Sequence, residues 1–381
     1  NYVSADNMAG TQSSYKGTLT TDDTPHPIHL IDKYSKNKKT ARWLTIQFKT
    51  QYTDANGDVQ IAQEVNSIDY ELFNGYLKYS DILTMGTGAT ANNFGYDLSR
   101  FNLSAQTDSF LSNAPAAQYA NLEDYGTLAF LSPTNNLDYI RLQYKDSSGS
   151  QIGTEDIEKK FANGGFGAAS SSIFYRLFFF GCFPANLQNW SSTFQALVSA
   201  GTIQGGSIAI QAFDDSGNRI SKQYTININC PNLKGYESIR LCWLNQWGAW
   251  DYYTFTQKSV RSISTKGSTY EQLAGTWNEA AYRVDSYKGG KKAFRVNATE
   301  KITMNSDFVS ESENDMFEEL INSPEVYILE GYQTDGTFSA LNQYVKPVRL
   351  TTSSFTRKTV ANDKLIQYTF EVEKSKTLRT Q

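Results

Sequence analysis

The sequence predicts a mainly β protein, in which a β-sandwich (jelly-roll-like) domain is followed by a smaller β-rich domain with one short helix. Aromatic residues make up 14% of the 381 residues, with 24 Tyr and 22 Phe, and such side chains favour strands and supply large buried areas. Only 19% of the residues are charged, so most of the polarity falls on Asn, Gln, Ser, Thr and Gly, which is typical of turns between strands. Several segments also alternate apolar with polar residues and lead into turns rich in Asp and Gly.

The chain divides into three predicted parts, because 381 residues exceed one typical domain. Residues 1–38 contain few apolar side chains and are predicted to form an extended N-terminal arm. Pro25 and Pro27 exclude a regular helix there, since proline lacks a backbone donor and restricts the residue before it. Residues 39–255 are predicted to form the β-sandwich domain and residues 256–381 a β-rich C-terminal assembly domain. The boundary is placed at residues 256–268, which are rich in Ser, Thr and Lys.

Three hairpins are predicted in the first domain. In the first of them Leu44, Ile46 and Phe48 alternate with polar residues, which places one face inward and the other outward. Asp, Asn and Gly in the turns tolerate the positive φ that tight turns require. The predicted turns are residues 54–58, 146–149 and 214–218.

Two short helices are predicted, one in each domain. In residues 191–200, Phe194 and Leu197 share an apolar face, and Gly201 follows as the end of the helix. In the second domain Ser310 and Glu313 form a capping box ahead of an apolar stripe, and a helix is expected from there to the proline at position 324.

A fourth hairpin, residues 239–255, is predicted to turn at residues 245–248 and carries a cluster of aromatic side chains. Trp243 and Trp250 are predicted to pack in the sandwich core, whereas Trp247 is expected to be partly exposed at the turn. Trp247, Trp250, Tyr252 and Tyr253 are the candidate contact residues. They are assigned to a subunit interface in preference to a glycan, although exposed aromatic rings do stack on sugars.

Most enzyme chemistry is disfavoured by the residues that the sequence lacks. The two histidines, His26 and His29, both fall in the N-terminal arm, so no Ser–His–Asp or Cys–His arrangement can be assembled. No catalytic, cofactor-binding or metal-binding residue is predicted, and no cofactor. A glycan-cleaving enzyme is kept as a remote alternative, because such enzymes use paired carboxylates. The carboxylates considered for it are Glu123, Asp124, Glu155 and Asp156.

Charge and hydropathy disfavour two classes of partner, nucleic acid and membrane. The cysteine content indicates the redox compartment. The net charge of −4 supplies no basic field for nucleic acid, and no apolar run approaches the roughly 20 residues that span a bilayer, so neither partner is expected. Cys182, Cys230 and Cys242 are odd in number and lack C-x-x-C spacing. They are predicted to be buried thiols of a protein made in a reducing cytosol, and a Cys230–Cys242 bridge is the less favoured alternative.

Residues 240–255 resemble a recurrent hairpin of tailed-phage virion proteins. The shared pattern is carried here by Trp243, Asn245, Gly248, Asp251 and Phe255. The end of the chain is similar to the same group in residues 323–329, 347–359 and 362–381, so the resemblance covers about residues 236–381.

The resemblance implies a structural protein of the virion, made in the host cytoplasm: a tail, baseplate, neck or fibre-attachment protein. Its partners would be other copies of itself and other virion proteins. The alternative is a β-sandwich module that binds a carbohydrate or receptor, with glycan as a further partner. Charge is uneven, because residues 300–325 are acidic whereas the final 36 residues hold eight basic and three acidic side chains. This pattern fits contacts between copies, although solvated charged faces are the default interpretation.

Overall fold

The computed structural model describes residues 41–44, 47–66, 70–73, 103–132, 137–158, 176–229, 235–275, 280–284, 287–330, 344–360 and 365–375. The predicted N-terminal arm, residues 1–38, lies outside them. The described residues form two compact units, the first drawn from residues 41–229 and 243–252 and the second from residues 235–242 and from 253 onward. In this division the aromatic hairpin, residues 239–255, is shared between the units, whereas the sequence assigned it whole to the first domain.

The first unit is built from short strands that are mostly antiparallel. Its strands are β1 (Ala41–Leu44), β2 (Gln47–Thr53), β3 (Val59–Asn66), β4 (Tyr70–Phe73), β5 (Ala117–Ala120), β6 (Thr127–Ser132), β7 (Tyr139–Lys145), β8 (Gln151–Glu158), β9 (Arg176–Gly181), β10 (Ser207–Phe213) and β11 (Tyr224–Ile228). A five-stranded sheet has the order β5-β11-β10-β7-β8, in which β5 and β11 are parallel. β1 pairs with β4, β2 with β3 and β6 with β9.

The period-2 pattern of the sequence corresponds to the buried face of the five-stranded sheet. Ile208 and Ile210 on β10 lie opposite Tyr144 and Leu142 on β7, and all four side chains are fully buried. On β7 the residues between them are partly exposed, as pleating requires, whereas Ala209 on β10 is also buried. The hairpins predicted around residues 146–149 and 214–218 therefore contribute their apolar face to the core of this unit.

Two consecutive helices follow β9 in the first unit. α1 (Pro184–Trp190) begins with proline in its first turn, where a missing N–H costs nothing. α2 (Ser192–Ser199) is capped by Ser191, whose hydroxyl oxygen accepts a hydrogen bond from the Phe194 N–H, and Gly201 follows it with φ +70°. The helix predicted at residues 191–200 is confirmed, whereas α1 was not predicted.

The strands from residue 239 onward form a seven-stranded sheet. They are β12 (Ile239–Leu244), β13 (Trp250–Phe255), β14 (Val260–Gln272), β15 (Gly290–Asn305), β16 (Val326–Leu329), β17 (Val345–Leu350) and β18 (Thr369–Lys374). Their order in the sheet is β13-β12-β16-β17-β18-β15-β14. With the sheets of the first unit, this arrangement confirms the mainly β class.

A helix and an aromatic cluster form the core of the second unit. α3 (Asn314–Asn322) follows a 3-10 turn at residues 311–313, and the capping box of Ser310 and Glu313 is formed as predicted. The ring of Phe317 on α3 lies 5.3 Å from Phe370 on β18, and Phe370 lies 5.9 Å from Phe255. α3 is therefore held to the sheet by its apolar stripe.

Two of the cysteines are buried and free. Burial raises the pKa of the Cys182 and Cys242 thiols above the usual range. Cys230 lies outside the described residues, and because Cys242 is free the alternative Cys230–Cys242 bridge is not formed.

Candidate functional site

Four hairpins in the described residues close with the same turn. In each, the side-chain oxygen of an opening Asp or Asn accepts hydrogen bonds from the backbone N–H groups two and four residues on. The residue three positions on is a glycine with φ between +74° and +88°, a backbone that other residues rarely adopt. The opening residues are Asp54, Asp146, Asp214 and Asn245.

Three of these turns carry a charged residue and project into solvent. Hydrogen bonds hold the pKa of each opening carboxyl below its usual range. For Asp54 the largest contribution comes from the backbone N–H of Asp58. For Asp146 it comes from the hydroxyl of Ser148, and for Asp214 from the side-chain amide of Asn218. The charge is tolerated because the surrounding positions are exposed.

The fourth turn, in the aromatic hairpin, is buried and neutral. Asn245 is fully buried, and its amide group donates a hydrogen bond of 2.9 Å to the carbonyl oxygen of Leu111. A charged Asp at this position would have to lose its water without an ion partner and could not make that donation. The amide therefore suits the buried turn, as the carboxylate suits the exposed ones.

The tryptophans of the aromatic hairpin are all buried. Trp243 and Trp250 pack in the core, as predicted, but the expected partial exposure of Trp247 is wrong, since its exposed fraction is 5%. Trp247 is covered because the side-chain amide of Asn245 donates a hydrogen bond to the carbonyl oxygen of Leu111, which holds the turn against that segment. The hydroxyl of Ser112 also donates a 2.5 Å hydrogen bond to Asp251 on the same hairpin.

The two tyrosines of the candidate set also have packing roles. The hydroxyl of Tyr252 lies 3.2 Å from that of Thr127, and its ring lies 5.6 Å from Phe183, within the first unit. Tyr253 belongs to the second unit, where its ring meets Phe317 edge-on at 4.9 Å and burial raises the pKa of its hydroxyl. Of the four candidate residues, Trp247, Trp250 and Tyr252 are buried, so these rings leave no open face on which a sugar could stack.

The exposed candidate surface lies in the next hairpin, which the sequence did not identify. β14 and β15 pair along thirteen residues of β14, and we call residues 260–305 the long hairpin. β14 forms the end of the seven-stranded sheet, and it includes most of the Ser/Thr/Lys-rich stretch that was interpreted as a domain boundary. β14 is therefore a continuous strand across most of the predicted boundary.

Large apolar side chains are concentrated on the long hairpin. Eight of the fourteen exposed large apolar side chains among the described residues lie between positions 260 and 294. Ile263, Tyr282 and Tyr287 are 64%, 60% and 73% exposed. Such a concentration marks an interaction surface more often than chance exposure does. The eight residues are Val260, Ile263, Tyr270, Leu273, Tyr282, Val284, Tyr287 and Phe294.

An ionic network fixes the base of the long hairpin. Arg261 on β14 contacts Glu237 at 2.5 Å and Glu300 on β15 at 2.8 Å, and Lys374 on β18 lies 3.0 Å from Glu300. Burial acts to raise the pKa of Glu300, but hydrogen bonds from Arg261 and Lys374 outweigh burial and lower that pKa. Because the base is tied to the sheet, the long hairpin projects in a defined direction.

Two of the carboxylates considered for sugar hydrolysis are held in structural contacts. Glu155 accepts hydrogen bonds from the hydroxyls of Ser191 at 2.5 Å and Tyr144 at 3.1 Å. Asp156 forms a bidentate pair with Arg141, at 2.7 and 2.8 Å. Neither is arranged as a free carboxylate facing a partner across a cleft, which is what glycoside hydrolysis requires.

No metal site, membrane-spanning helix or similar protein assigns a function to the residues that the structure describes. Among the residues that the structure describes, no cluster of three or more His, Cys, Asp and Glu side chains is placed to hold a metal ion. No helix in these residues has the length and hydropathy to cross a membrane. Comparisons with protein-family models, with curated proteins and with solved structures found no match.

Proposed function

We propose that this protein is a structural component of a tailed-phage virion and acts through protein–protein assembly, with the long hairpin as an assembly element. The observation that carries the assembly role is the concentration of exposed apolar side chains between positions 260 and 294. The assignment to a virion rests on the resemblance of residues 236–381 to tail- and baseplate-associated proteins.

Physical chemistry supports a protein partner for this surface. Burying apolar area stabilises a contact by roughly 25 cal/mol per Å², so eight exposed large side chains offer a substantial gain to any chain that covers them. The outer edge of β14 adds to this, because thirteen residues without a proline form the end strand of the sheet. Soluble monomers usually protect such edges with short strands, prolines or inward charges.

The carbohydrate-binding alternative has less support. It depended on exposed aromatic rings at residues 247–253, and three of the four candidate rings are buried. A glycan partner is therefore kept as an outcome of the test and carries no second proposal.

The test compares the full chain with one whose hairpin is shortened. Thr265 lies opposite Ala298, so replacing residues 266–297 by a two-residue Asn-Gly turn keeps the register of the base. Light scattering after size exclusion, with electron microscopy, should show that the full chain forms a ring or spike. The shortened chain should be folded, by circular dichroism, and monomeric.

Two results would contradict the proposal in different ways. If the shortened chain assembled like the full chain, the long hairpin would not be the assembly element. If the full chain stayed monomeric at all concentrations and bound a sugar on a glycan array, the assembly function itself would be wrong.

A further inference from the structure

The far end of the long hairpin carries basic and aromatic side chains together. We call the described residues between 270 and 295 the hairpin tip. Lys288 lies over the ring of Tyr287 at 5.4 Å, and the ring of Tyr282 covers Gly275 so closely that a Cβ there would meet it at 2.0 Å. Residues 270–295 contain five basic and three acidic side chains in sequence. The tip therefore combines exposed apolar side chains with a net positive charge.

A surface of opposite character lies at the base of the same unit. Residues 307–325 contain seven acidic side chains and no basic one. Arg357 from the neighbouring segment pairs with two of them, Asp315 at 2.7 Å and Glu318, and the other five keep the region negative. Two large apolar side chains are also exposed there, Phe308 at 59% and Val360 at 54%. The backbone N–H of Val360 donates a 2.6 Å hydrogen bond to Glu311, which holds the two segments together. We call Asp307, Phe308, Glu311 and Val360 the acidic-apolar patch.

The two surfaces cannot meet within one chain. The side-chain amide of Gln257 donates a 3.0 Å hydrogen bond to Asp307, which fixes the acidic-apolar patch beside the start of β14. The hairpin tip begins at the other end of that strand. Ten residue steps at about 3.3 Å each separate Val260 from Tyr270, where the tip begins, by about 33 Å, and the antiparallel pairing with β15 keeps the strand extended.

We infer that the hairpin tip of one copy docks on the acidic-apolar patch of a second copy. The inference rests on the proposed assembly function and specifies its partner and surfaces. Both surfaces carry exposed apolar side chains. The net charge of the tip is positive and that of the patch is negative. Complementary charge fixes the orientation of a contact, and the covered apolar area stabilises it.

This contact has a consequence for symmetry. Two different surfaces meet, so the interface is heterologous, and repeating it generates a ring if the rotation closes or a filament if it does not. A docked dimer retains one unoccupied tip and one unoccupied patch, so assembly should proceed beyond the dimer.

The experiment reverses the charges on each surface in the full chain. Lys288→Glu/Arg295→Glu changes the tip, and Asp307→Lys/Glu311→Lys changes the patch. Sedimentation velocity should show that each variant weakens self-association by about tenfold or more. A 1:1 mixture of the two variants should recover association, because the reversed tip then meets the reversed patch. Raising the salt concentration should weaken the wild-type contact.

A matched control separates this contact from net charge. Arg219→Glu/Lys222→Glu applies the same charge change as the tip variant to exposed positions of the first unit, and it should leave self-association unchanged. Circular dichroism and melting of each variant establish that it is folded. The aromatic contribution is tested by Tyr282→Ser/Tyr287→Ser, which should weaken association without a change of charge.

The outcomes distinguish this inference from the proposed function. If the wild type assembles and neither charge reversal changes its association, the docking inference is wrong and the assembly function stands. If the wild type is monomeric at every concentration, both are wrong. If the tip variant retains assembly but loses binding to a single-stranded oligonucleotide, the tip is a nucleic-acid surface and the docking inference is overturned.

Discussion

The aromatic hairpin and the long hairpin are neighbours in sequence and have opposite environments. The aromatic hairpin buries nearly every residue of β12 and β13. The long hairpin exposes every residue of β14 except the last, which is partly buried. Both are antiparallel ribbons rich in strand-forming residues, so backbone preference does not separate them. The difference lies in what covers their faces.

Aromatic content alone therefore does not locate a surface that binds partners. The tryptophans at positions 243, 247 and 250 are core residues, whereas the exposed rings belong to Tyr282 and Tyr287. Large buried rings stabilise the fold, and exposed ones mark where a partner gains by covering them. Four predictions sharpen the contrast.

The largest effect is expected from truncating a buried ring of the aromatic hairpin. Trp243→Ala removes a fully buried side chain and should lower the free energy of unfolding by about 3–5 kcal/mol. Urea denaturation followed by circular dichroism measures the change. Trp243→Phe is the conservative control and should cost less. A loss below about 1 kcal/mol for the alanine variant would contradict the core role.

The second effect concerns the turn that the buried and exposed hairpins share. Asn245→Asp places a carboxyl where an amide donates to Leu111, and it should destabilise the chain by about 2–3 kcal/mol at neutral pH. Burial would raise the folded pKa of this carboxyl, so the deficit should be small in acid and grow as pH rises above about 4. Denaturation at several pH values measures it.

The matched control for that prediction is an exposed turn. Asp214→Asn makes the reverse change at a position with the same hydrogen bonds, and it should alter stability much less than Asn245→Asp does. Equal losses in the two variants would mean that burial does not select the turn residue.

A smaller effect is expected at the anchored base of the long hairpin. Glu300→Gln weakens the contacts to Arg261 and Lys374 and should destabilise the chain by about 1–2 kcal/mol at pH 7. Since the folded pKa of Glu300 is lowered, its contribution is present above the ordinary carboxyl pKa and is lost as pH falls through the lowered value. The difference between wild type and variant should therefore vanish in acid. Glu271→Gln, on the exposed part of β14, is the control and should leave the free energy of unfolding at pH 7 nearly unchanged.

The smallest effect on stability is expected along the exposed strand. Ile263→Thr keeps a β-branched residue at an exposed position, so the free energy of unfolding of the monomer should change by less than about 0.5 kcal/mol. Thermal melting at low concentration tests this. A loss as large as that of Trp243→Ala would mean that β14 is covered by the chain itself.

Local features of the fold were readily predicted from the sequence. The turn that Asn245 opens, the capping box of Ser310 and Glu313, and the helix capped by Ser191 are all present. Each depends on hydrogen bonds that span no more than four residues, and the residue types alone specify them. The mainly β class follows for a similar reason, because side-chain alternation matches the strand period.

The burial of a side chain could be predicted only where the alternation of apolar and polar residues was unambiguous. The hydrogen bond that fixes the aromatic turn joins Asn245 to Leu111, which are 134 residues apart, so no local pattern showed that Trp247 would be covered. The long hairpin was missed because Ser, Thr and Lys are common both in linkers and on exposed strands. The pairing of Val260 on β14 with Thr303 on β15 joins residues that are far apart in the chain, and no local pattern predicted it.

The sequence by itself determined the mainly β class, the four glycine turns and the ends of α2 and α3, since these arise from φ preferences and hydrogen bonds among near neighbours. The tertiary structure alone decided that the aromatic hairpin is buried and that the long hairpin is exposed. Burial is set by whichever distant segments cover a face, and a strand of alternating residues is compatible with either outcome. Hence the candidate assembly surface became identifiable only once the uncovered faces were known.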